Sequence, residues 1–551
     1  MSPAGQGGAE GRGTGGPGDG GRDGGQRHGG ARDGAGRGDT GRSDRGGARD
    51  GGRAAGRDAQ GRQRGAARSE GRTTRSAAAP GQRRRGTDPA RRVAFDVLRT
   101  VAEGDAYANL VLPPLLRERG LTGRDAGFAT ELTYGTLRLR GRYDAVVELA
   151  AARPAARIDG PVLDVLRLGV HQVLGMRVPA HAAVSETVGL AREVTGAGPA
   201  QFVNAVLRAV AREPWDVWEQ RIGDAADPDG SDPVARLATV GSHPVWVVRA
   251  LREALVGNDR GVDEIAALLD ADNAAPLVTL VARPGLASVE ELGATDDAAA
   301  GPLSSTAVVL PGGDPASLPA VREARAGVQD DGSQLVALAL GAAPLDGPDE
   351  RWLDLCAGPG GKAALLAALA SSRGARLVAN EVQPHRARLV RQSLHAVPAD
   401  AVEEVRTGDG RTVGTDEPAS YDRVMVDAPC TGLGALRRRP ESRWRRTPAD
   451  VATLGTLQRE LLGSALRAVR VGGVVAYVTC SPHLAETRLV VKDALRAAAK
   501  AGVDVETLDA AAVVRDVARR DVDLPDRTDV QLWPHVHGTD AMHLTLLRRT
   551  S

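Results

Sequence analysis

The chain is poor in cysteine and lacks long apolar segments. Only three of its 551 residues are cysteines, which excludes the disulfide framework typical of small secreted proteins. No apolar run near the N-terminus has the form of a secretory signal, and no run approaches the roughly 18 residues of a membrane-spanning helix. We therefore expect a reducing, cytoplasmic setting.

Residues 1–86 lack the side chains that build a hydrophobic core. They contain no Val, Ile, Leu, Phe, Trp or Tyr, but 28 Gly and 18 Arg. This low-complexity composition predicts a disordered leader. The leader has a net charge of +9, whereas the rest of the chain carries −8. Two interpretations stay open: loose, salt-sensitive contact with RNA, or a solvated segment with no specific task.

The pattern of apolar residues divides the remaining chain into three parts. Helical spacing dominates 87–215, and Asp88-Pro89 supplies a capping side chain followed by proline at the first helical position. Residues 216–327 begin as a polar linker and continue with helical and strand-like stretches, which predicts a small α+β module. In 328–551 short apolar runs alternate with helical stretches, as in a doubly wound, Rossmann-like α/β domain. The predicted fold is thus multi-domain: all-α, then α+β, then α/β.

Four short apolar runs in the C-terminal part are predicted to be buried parallel strands. They are 352–356, 375–380, 421–427 and 474–479. Ligands of doubly wound sheets bind at the carboxyl ends of such strands. The residues at the end of each run are therefore the candidates for a functional site.

The first run leads into a glycine-rich turn, residues 354–362. Gly358, Gly360 and Gly361 let the backbone turn tightly and approach a ligand closely. The turn lacks both the phosphate-loop spacing and the Gly-x-Gly-x-x-Gly fingerprint. Glu381 follows the next run, where such sheets place the acid that binds a ribose diol. These features indicate a nucleoside-bearing ligand, with S-adenosylmethionine a better fit than a dinucleotide; the alternative is a structural turn and a surface acid.

Two cysteines follow neighbouring strands. Cys430 belongs to an Asp-Ala-Pro-Cys segment that begins at Asp427, and Cys480 belongs to a Thr-Cys-Ser segment. Both thiols should face one crevice, and Cys356 in the first run lies beside it. The alternative for each cysteine is a small buried hydrophobic residue. No Cys-x-x-Cys or Cys/His pairing is present, so we expect no metal site.

Paired thiols beside a methyl donor suit the methylation of carbon 5 of a pyrimidine. That carbon is a weak nucleophile, and a thiolate that adds to carbon 6 makes carbon 5 enamine-like. A second thiol and a carboxylate suit loss of the carbon 5 proton and elimination of the first thiol. Asp427 would hydrogen-bond the base near nitrogen 3 and stabilise the adduct. This chemistry does not determine which thiol is the nucleophile.

Three weaker signals accompany these motifs. Asp409, in a Gly-Asp-Gly-Arg segment, would sit by the adenine end of the same ligand, although Asp-Gly is first a turn signal. The run 437–446 contains six arginines and one tryptophan. A charge run is usually solvated, but its position directly after the Asp-Ala-Pro-Cys segment favours contact with an RNA backbone. His535 and His537 alternate as in a strand and are interpreted as structural or surface residues.

Together, the motifs resemble those of the RsmB/Sun/NOL1 family of RNA 5-methylcytosine methyltransferases. The resemblance is carried by 354–362, 427–434, 437–441 and 479–482. The helical part looks like a NusB domain, on the stretches 166–172, 178–184 and 202–208. This arrangement is similar to that of the bacterial members of the family that act on small-subunit rRNA.

The resemblance implies that Cys480 is the nucleophile and that Cys430 helps to release the methylated RNA. It implies a cofactor site formed by Cys356, Ala357, Gly358, Pro359, Gly360, Gly361, Lys362, Glu381, Asp409 and Asp427. The chain departs from the family pattern in three ways. Gly358 replaces the Ala of many relatives, which we expect to be mild. Glu381 replaces the commoner Asp and can still accept from a ribose diol, and the Arg/Gly-rich leader is additional.

We therefore expect S-adenosylmethionine-dependent methylation of carbon 5 of a cytosine in 16S ribosomal RNA, through a covalent bond between a cysteine and carbon 6. The helical and α+β parts would grip folded rRNA, and the target base would be unstacked or flipped. We expect no membrane, metal or stable protein partner. Two alternatives remain. One is an RNA-binding assembly or antitermination factor with a vestigial methyltransferase domain, and the other is an S-adenosylmethionine enzyme acting on an amine.

Overall fold

The computed structural model describes residues 87–104, 106–294 and 298–551. The predicted leader, residues 1–86, lies outside the described residues. The described chain contains a helical N-terminal part, a small antiparallel sheet and a large mixed sheet. None of the helices in these ranges is both long enough and apolar enough to cross a lipid bilayer.

Eight helices form the N-terminal part, and their apolar faces share one core. The first helix begins where the sequence predicts, because Asp88 Oδ1 accepts a hydrogen bond from Ala90 N at 2.8 Å and Pro89 is the first helical residue. The helices are α1 (Pro89–Glu103), α2 (Ala108–Glu118), α3 (Gly123–Arg138), α4 (Arg140–Ala151), α5 (Gly160–Val170), α6 (Ala180–Val194), α7 (Ala197–Val210) and α8 (Trp215–Ala226).

The middle of the chain contains helices and a four-stranded antiparallel sheet. Its strands are β1 (Val278–Ala282), β2 (Ala299–Ala300), β3 (Ala307–Leu310) and β4 (Ala326–Val328), in the order β2-β3-β1-β4. Its helices are α9 (Pro233–Val240), α10 (Val245–Gly257), α11 (Ile265–Asn273), α12 (Val289–Gly293) and α13 (Pro319–Arg322). Leu280, Val308 and Leu310 belong to the small core of this sheet.

The C-terminal part is a doubly wound sheet, which confirms the predicted α/β fold class. The strands are β5 (Arg351–Asp354), β6 (Arg376–Glu381), β7 (Val402–Thr407), β8 (Tyr421–Asp427), β9 (Val469–Thr479), β10 (Val505–Leu508), β11 (Val530–Gln531) and β12 (His543–Arg549). Their order is β10-β12-β9-β8-β5-β6-β7, with β11 paired to β12. Strands β5 to β9 are mutually parallel, whereas β12 runs antiparallel to β9.

Helices cover both faces of this sheet and complete two cores, one on each side. They are α14 (Asp331–Ala342), α15 (Gly361–Ser371), α16 (Pro384–Ser393), α17 (Val413–Asp416), α18 (Ser442–Arg445), α19 (Pro448–Ala468), α20 (Arg488–Lys500), α21 (Ala510–Val517) and α22 (Pro534–His537). Helices α14, α15 and α21 pack together, and α17 and α20 pack on α19.

His535 and His537 lie in α22, so the strand expected from their alternation is wrong. Their interpretation as structural residues is confirmed. His535 Nε2 lies 2.8 Å from Glu264 Oε2. His537 Nδ1 accepts a hydrogen bond from Trp533 N at 2.8 Å, and this buried ring closes the turn that α22 makes.

Candidate active site

The sheet order brings the sequence motifs to one edge. Strands β8, β5, β6 and β7 are neighbours, so the residues at their carboxyl ends line one crevice. The glycine-rich turn follows β5, Glu381 ends β6, Asp409 follows β7 and Asp427 ends β8. The fifth contribution, Cys480, follows β9, the strand beside β8.

The turn after β5 is tied to both neighbouring strands. Leu355 N donates to Met425 O at 2.9 Å, and Ala357 N donates to Asn380 O at 2.8 Å. Strand β5 ends at Asp354, two residues earlier than the predicted run, so Cys356 lies in the turn and not in the strand. This correction places the Cys356 thiol in the loop that borders the crevice.

Two glycines allow the turn to approach its surroundings closely. Gly360 has φ +115°, and a Cβ at this position would lie 2.7 Å from Ser393 Cβ. A Cβ at Gly358 would lie 2.2 Å from Glu381 Oε2. Gly360 is favoured by its positive φ and by the nearby Ser393 side chain. Gly358 is favoured because the Glu381 carboxylate occupies the space that a Cβ would need.

Glu381 is nearly fully buried and holds the turn by backbone contacts. Its Oε2 accepts from Gly358 N at 3.0 Å, and its Oε1 accepts from Gln383 N at 2.9 Å. Arg386 donates to Gly358 O, and its Nη1 lies 3.6 Å from Glu381 Oε2. Since a carboxylate has about four lone-pair sites, this acid retains acceptor capacity for a diol.

Asp409 is more exposed than the other acids. It forms an ion pair with Arg411, with Asp409 Oδ2 and Arg411 Nη2 2.6 Å apart. The hydrogen bond from Arg411 lowers the pKa of Asp409. Arg411 also contacts Glu460 at 3.1 Å, which anchors this loop to α19. Asp409 is therefore held as a carboxylate at the outer end of the crevice.

Lys362 and Asp427 form a half-buried ion pair across the crevice. Lys362 Nζ lies 2.9 Å from Asp427 Oδ2. Although burial opposes the shift, Asp427 raises the pKa of Lys362. The ammonium group thus stays charged, and its charge lowers the pKa of Cys480.

The Cys430 and Cys480 sulfur atoms lie 3.4 Å apart, within hydrogen-bond distance. Their hydrogen bond lowers the pKa of Cys480, Lys362 and Arg439 contribute to the lowering, and burial and Asp427 oppose it. The same hydrogen bond, together with burial, raises the pKa of Cys430 well above its usual value. The geometry therefore favours a thiolate on Cys480 and a thiol on Cys430. The two sulfurs converge on one crevice, as the sequence predicts.

The third thiol and the acid before it behave differently. Burial, followed by the Asp354 charge, raises the pKa of Cys356 well above its usual value. Burial raises the pKa of Asp354 itself to about 7, and Asp427 adds to the shift. Cys356 is thus poorly suited to act as a nucleophile, in contrast to Cys480.

The basic run 437–446 is not a free RNA-contacting surface, and both sequence interpretations of it are wrong for most of its arginines. Arg437 and Arg438 each pair with Asp330 and Asp540. These contacts lie in the C-terminal part, where they fix the segment that follows Cys430.

Two further arginines of this run bind backbone carbonyls of other parts of the chain. Arg443 is 0% exposed. It donates to Arg138 O at 3.0 Å, Ser242 O at 2.9 Å and Asp272 O at 3.2 Å. Arg445 donates to Val101 O at 2.8 Å and to two carbonyls of the α1–α2 connection. The run therefore attaches the cysteine loop to the helical N-terminal part and to the middle part of the chain.

Sequence reasoning missed two polar residues that organise the site. Asn380 Nδ2 donates to Leu355 O at 3.0 Å and to Gly408 O at 3.1 Å, and so joins the loops after β5 and β7. Glu486 bonds the loops of both cysteines. The only available signal for Asn380 was its place beside Glu381 at a strand end, and no motif spacing pointed to Glu486. Within the described residues no group of acidic, histidine or cysteine side chains could hold a metal ion.

A parallel sheet with an antiparallel strand β12, a glycine-rich turn after β5 and paired thiols at the crevice define an α/β methyltransferase, here joined to a helical domain. Comparison with known families agrees. The model described as 16S rRNA methyltransferase RsmB/F matches residues 343–548, and the NusB family model matches residues 88–212. The chain belongs to the RsmB/F family of 16S rRNA methyltransferases, which are S-adenosylmethionine-dependent.

Individual relatives match nearly the whole described chain. Rv1407 of Mycobacterium tuberculosis, named as a methyltransferase, is 52% identical over 469 residues, covering 85% of this chain and 98% of its own. The ribosomal RNA small subunit methyltransferase B of Pseudomonas putida is 33% identical over 412 residues, covering 73% and 88%. The crystal structure of PH0851 is similar with a TM-score of 0.66 at 20% identity, covering 84% and 98%. The resemblance drawn from the motifs is confirmed.

Proposed function

We propose that the protein methylates carbon 5 of a cytosine in 16S rRNA, with Cys480 as the covalent nucleophile. The observation that carries the proposal is the 3.4 Å separation of the Cys430 and Cys480 sulfurs at the carboxyl ends of adjacent strands. A single thiol would serve for addition to a pyrimidine. A second thiol at this distance supplies a proton donor and acceptor at the sulfur that must later leave.

The first step is addition of the Cys480 thiolate to carbon 6 of the cytosine. The S–C6 bond forms, the electron pair of the C5–C6 double bond moves to carbon 5, and carbon 5 becomes nucleophilic. Asp427 hydrogen-bonds the base near nitrogen 3 and stabilises the adduct. Lys362 stabilises the Cys480 thiolate before the addition, because the charge of its ammonium group lowers the pKa of that thiol.

Bound S-adenosylmethionine would supply the methyl group: carbon 5 would form the new bond as the bond between methyl and sulfonium breaks, and S-adenosylhomocysteine would be left. Two bonds of the base adduct must then break. The carbon 5 proton leaves to a base, and its electron pair restores the C5–C6 double bond as the Cys480 sulfur departs. Cys430 lies beside that sulfur and assists its departure, so the methylated base is released and the Cys480 thiolate is regenerated.

The residues of the crevice fit S-adenosylmethionine, which supplies an electrophilic methyl group when bound. The side chain of Glu381 retains acceptor sites toward a diol, and Gly360 approaches Ser393 too closely for any larger residue. Asp354 Oδ2 is buried and has no hydrogen-bond partner within the described residues, a match for a cationic amino group. We assign the cofactor to the turn 356–362 with Glu381, Asp409 and Asp427.

The RNA is expected to present the cytosine outside a base stack, since a paired base cannot bring carbon 6 to a thiol inside a crevice. The helical N-terminal part and the small antiparallel sheet are assigned to RNA binding. We also propose that the domains span 87–215, 216–327 and 328–551. The proposed location is the cytoplasm.

The test is adduct trapping with Cys430→Ala and Cys480→Ala. Incubated with rRNA and S-adenosylmethionine, the Cys430→Ala protein should form a complex with RNA that survives denaturing gels, because departure of Cys480 is impaired. The Cys480→Ala protein should form none. Adducts from the opposite variant would reverse the roles of the two thiols, and bisulfite sequencing of the RNA would show whether the modified base is a cytosine methylated at carbon 5.

A further inference from the structure

Glu486 is a buried carboxylate that joins the two cysteine loops. It is 0% exposed. It accepts hydrogen bonds from Thr431, the residue after Cys430, and from Ser481, the residue after Cys480. Thr431 N lies 2.8 Å from Oε1, the Ser481 hydroxyl lies 2.7 Å from Oε2, and the Thr431 hydroxyl also donates to Oε2. One side chain thus fixes both loops at the point where the thiols meet.

Further attachments come from α19 and β9. Gln458 Nε2 donates to Glu486 Oε1 at 3.3 Å and to Pro429 O at 2.8 Å. The Tyr477 hydroxyl donates to Glu486 O at 2.8 Å. No basic side chain in the described part of the chain forms an ion pair with Glu486. Hydrogen-bond donors, and no cation, therefore balance this carboxylate.

We propose that Glu486 is a positioning residue for methyl transfer: it holds the two sulfurs together and makes Cys430 the protonated partner, so that the thiolate forms on Cys480. This inference rests on the proposed function, because only a two-thiol mechanism needs unlike thiols. Glu486 touches neither the RNA base nor the methyl donor in this mechanism and acts through Thr431 and Ser481.

Electrostatics supports the same division of roles. The hydrogen bond with Cys480, burial and the charge of Glu486 all raise the pKa of Cys430. Tyr477 is a further titratable side chain that faces Cys430. The charged groups that face Cys480 are Lys362, Asp427 and Arg439. Because Glu486 acts on Cys430 and these groups act on Cys480, their effects can be measured separately.

Glu486→Gln separates the charge from the hydrogen bonds. Glutamine offers one acceptor oxygen and one donor amide, and the hydroxyls of Thr431 and Ser481 can rotate to accept from that amide. Thr431 N and Gln458 can continue to donate to the remaining oxygen. The variant therefore removes the negative charge while both loops stay attached.

The experiment measures alkylation of each cysteine by iodoacetamide in the full-length protein, over a range of pH, with peptide mass spectrometry and without RNA or S-adenosylmethionine. In the wild type, Cys480 should react well before Cys430. In Glu486→Gln the ratio of the two rates should fall about tenfold, because each unit of decrease in the pKa of Cys430 gives about tenfold more thiolate. Glu506→Gln, at an exposed position on β10, is the matched control and should keep the wild-type ratio.

An unchanged ratio in Glu486→Gln would show that Glu486 is only structural and would overturn the proposal. Glu486→Asp keeps the charge but shortens the side chain, so it should retain the wild-type ratio and show a reduced kcat with an unchanged KM for RNA. If Glu486→Gln does not fold, Glu486→Asp becomes the deciding variant. A wild-type kcat for Glu486→Asp would then contradict the proposal. If the protein shows the expected alkylation pattern but methylates no RNA, that result refutes the proposed function and leaves the role of Glu486 in place.

Discussion

The carboxylate of Glu381 fills the space that a methyl group at Gly358 would need. A Cβ at this glycine would lie 2.2 Å from Glu381 Oε2, and Gly358 N donates to the same oxygen at 3.0 Å. At these two positions the resemblance drawn from the motifs leads us to expect Ala and Asp, where this chain has Gly and Glu. The two departures are coupled in the structure, because the longer acid needs the smaller residue opposite it.

Gly358→Ala should displace the Glu381 carboxylate and weaken the binding of S-adenosylhomocysteine about tenfold, or about 1.4 kcal/mol. Adding Glu381→Asp should restore most of the affinity, since the shorter acid leaves room for the methyl group. Isothermal titration calorimetry on the four proteins of this cycle measures the coupling. Gly189→Ala is the control, because beyond its chain neighbours and the backbone of its own helix the added Cβ would meet no atom within 4 Å. A double variant no better than Gly358→Ala would contradict the coupling.

Lys362→Met should raise the pKa of Cys480, because the ammonium group that favours the thiolate is lost. The fraction of thiolate near pH 7 then falls, and the methylation rate should drop about tenfold for each unit of increase. The methylation rate should recover as the pH rises through the new pKa of Cys480. Methylation rates against pH test this, with Lys492→Met on the exposed side of α20 as the control. A loss of equal size at every pH would argue against the thiolate explanation.

Stability should depend on pH through Asp354. Burial raises its pKa to about 7 in the folded state, against about 3.9 in an unfolded chain. The unfolded chain therefore releases this proton first, and the stability contributed by the protonated acid is lost as the pH rises from about 4 to about 7. Asp354→Asn should lack this loss, so its free energy of unfolding relative to wild type should increase by a few kcal/mol across this range.

Urea unfolding of the cofactor-free protein at several pH values checks this prediction. The exposed residue Asp400 provides the control substitution Asp400→Asn, which should leave the pH dependence of the wild type in place. A constant difference between wild type and Asp354→Asn over the whole range would mean that Asp354 titrates as an ordinary carboxyl group.

Arg443→Met should destabilise the protein by about 3 kcal/mol, because buried carbonyl groups on several helices and connections lose their donor. Arg446→Met is the matched control from the same run, since Arg446 forms no side-chain hydrogen bond among the described residues. Chemical denaturation gives both values. Equal stability of the two variants would show that the Arg443 contacts contribute little.

The sequence predicts the sheet and the convergence of the thiols well, for a simple reason. Alternating strand and helix patterns imply parallel strands, and the carboxyl ends of parallel strands share one edge, so motifs at strand ends must meet. Cys430, Cys480 and Asp427 come together on this basis alone. Their separate roles do not follow from the pattern, because the pKa of each thiol depends on side chains such as Lys362 and Glu486.

The misjudged elements depend on contacts between distant parts of the chain. The run 437–446 is typical of a solvated or RNA-binding segment, yet Arg443 meets carbonyl groups from residues 138, 242 and 272, far away in sequence. His535 and His537 follow a period of two in a helix of four residues, too short for periodicity to distinguish helix from strand. Glu486 is likewise defined by partners from four places: the loop after β8, α19, β9 and the loop after β9.

The insertion of Arg443 makes the integrity of the C-terminal part depend on the N-terminal and middle parts of the chain. A shortened protein that began near residue 328 would present a guanidinium group deprived of its carbonyl partners, directly downstream of Cys430. Removal of the residues before 328 should therefore reduce methylation activity even on a substrate that needs no additional RNA-binding surface. The two halves should also melt as one cooperative unit in a calorimeter.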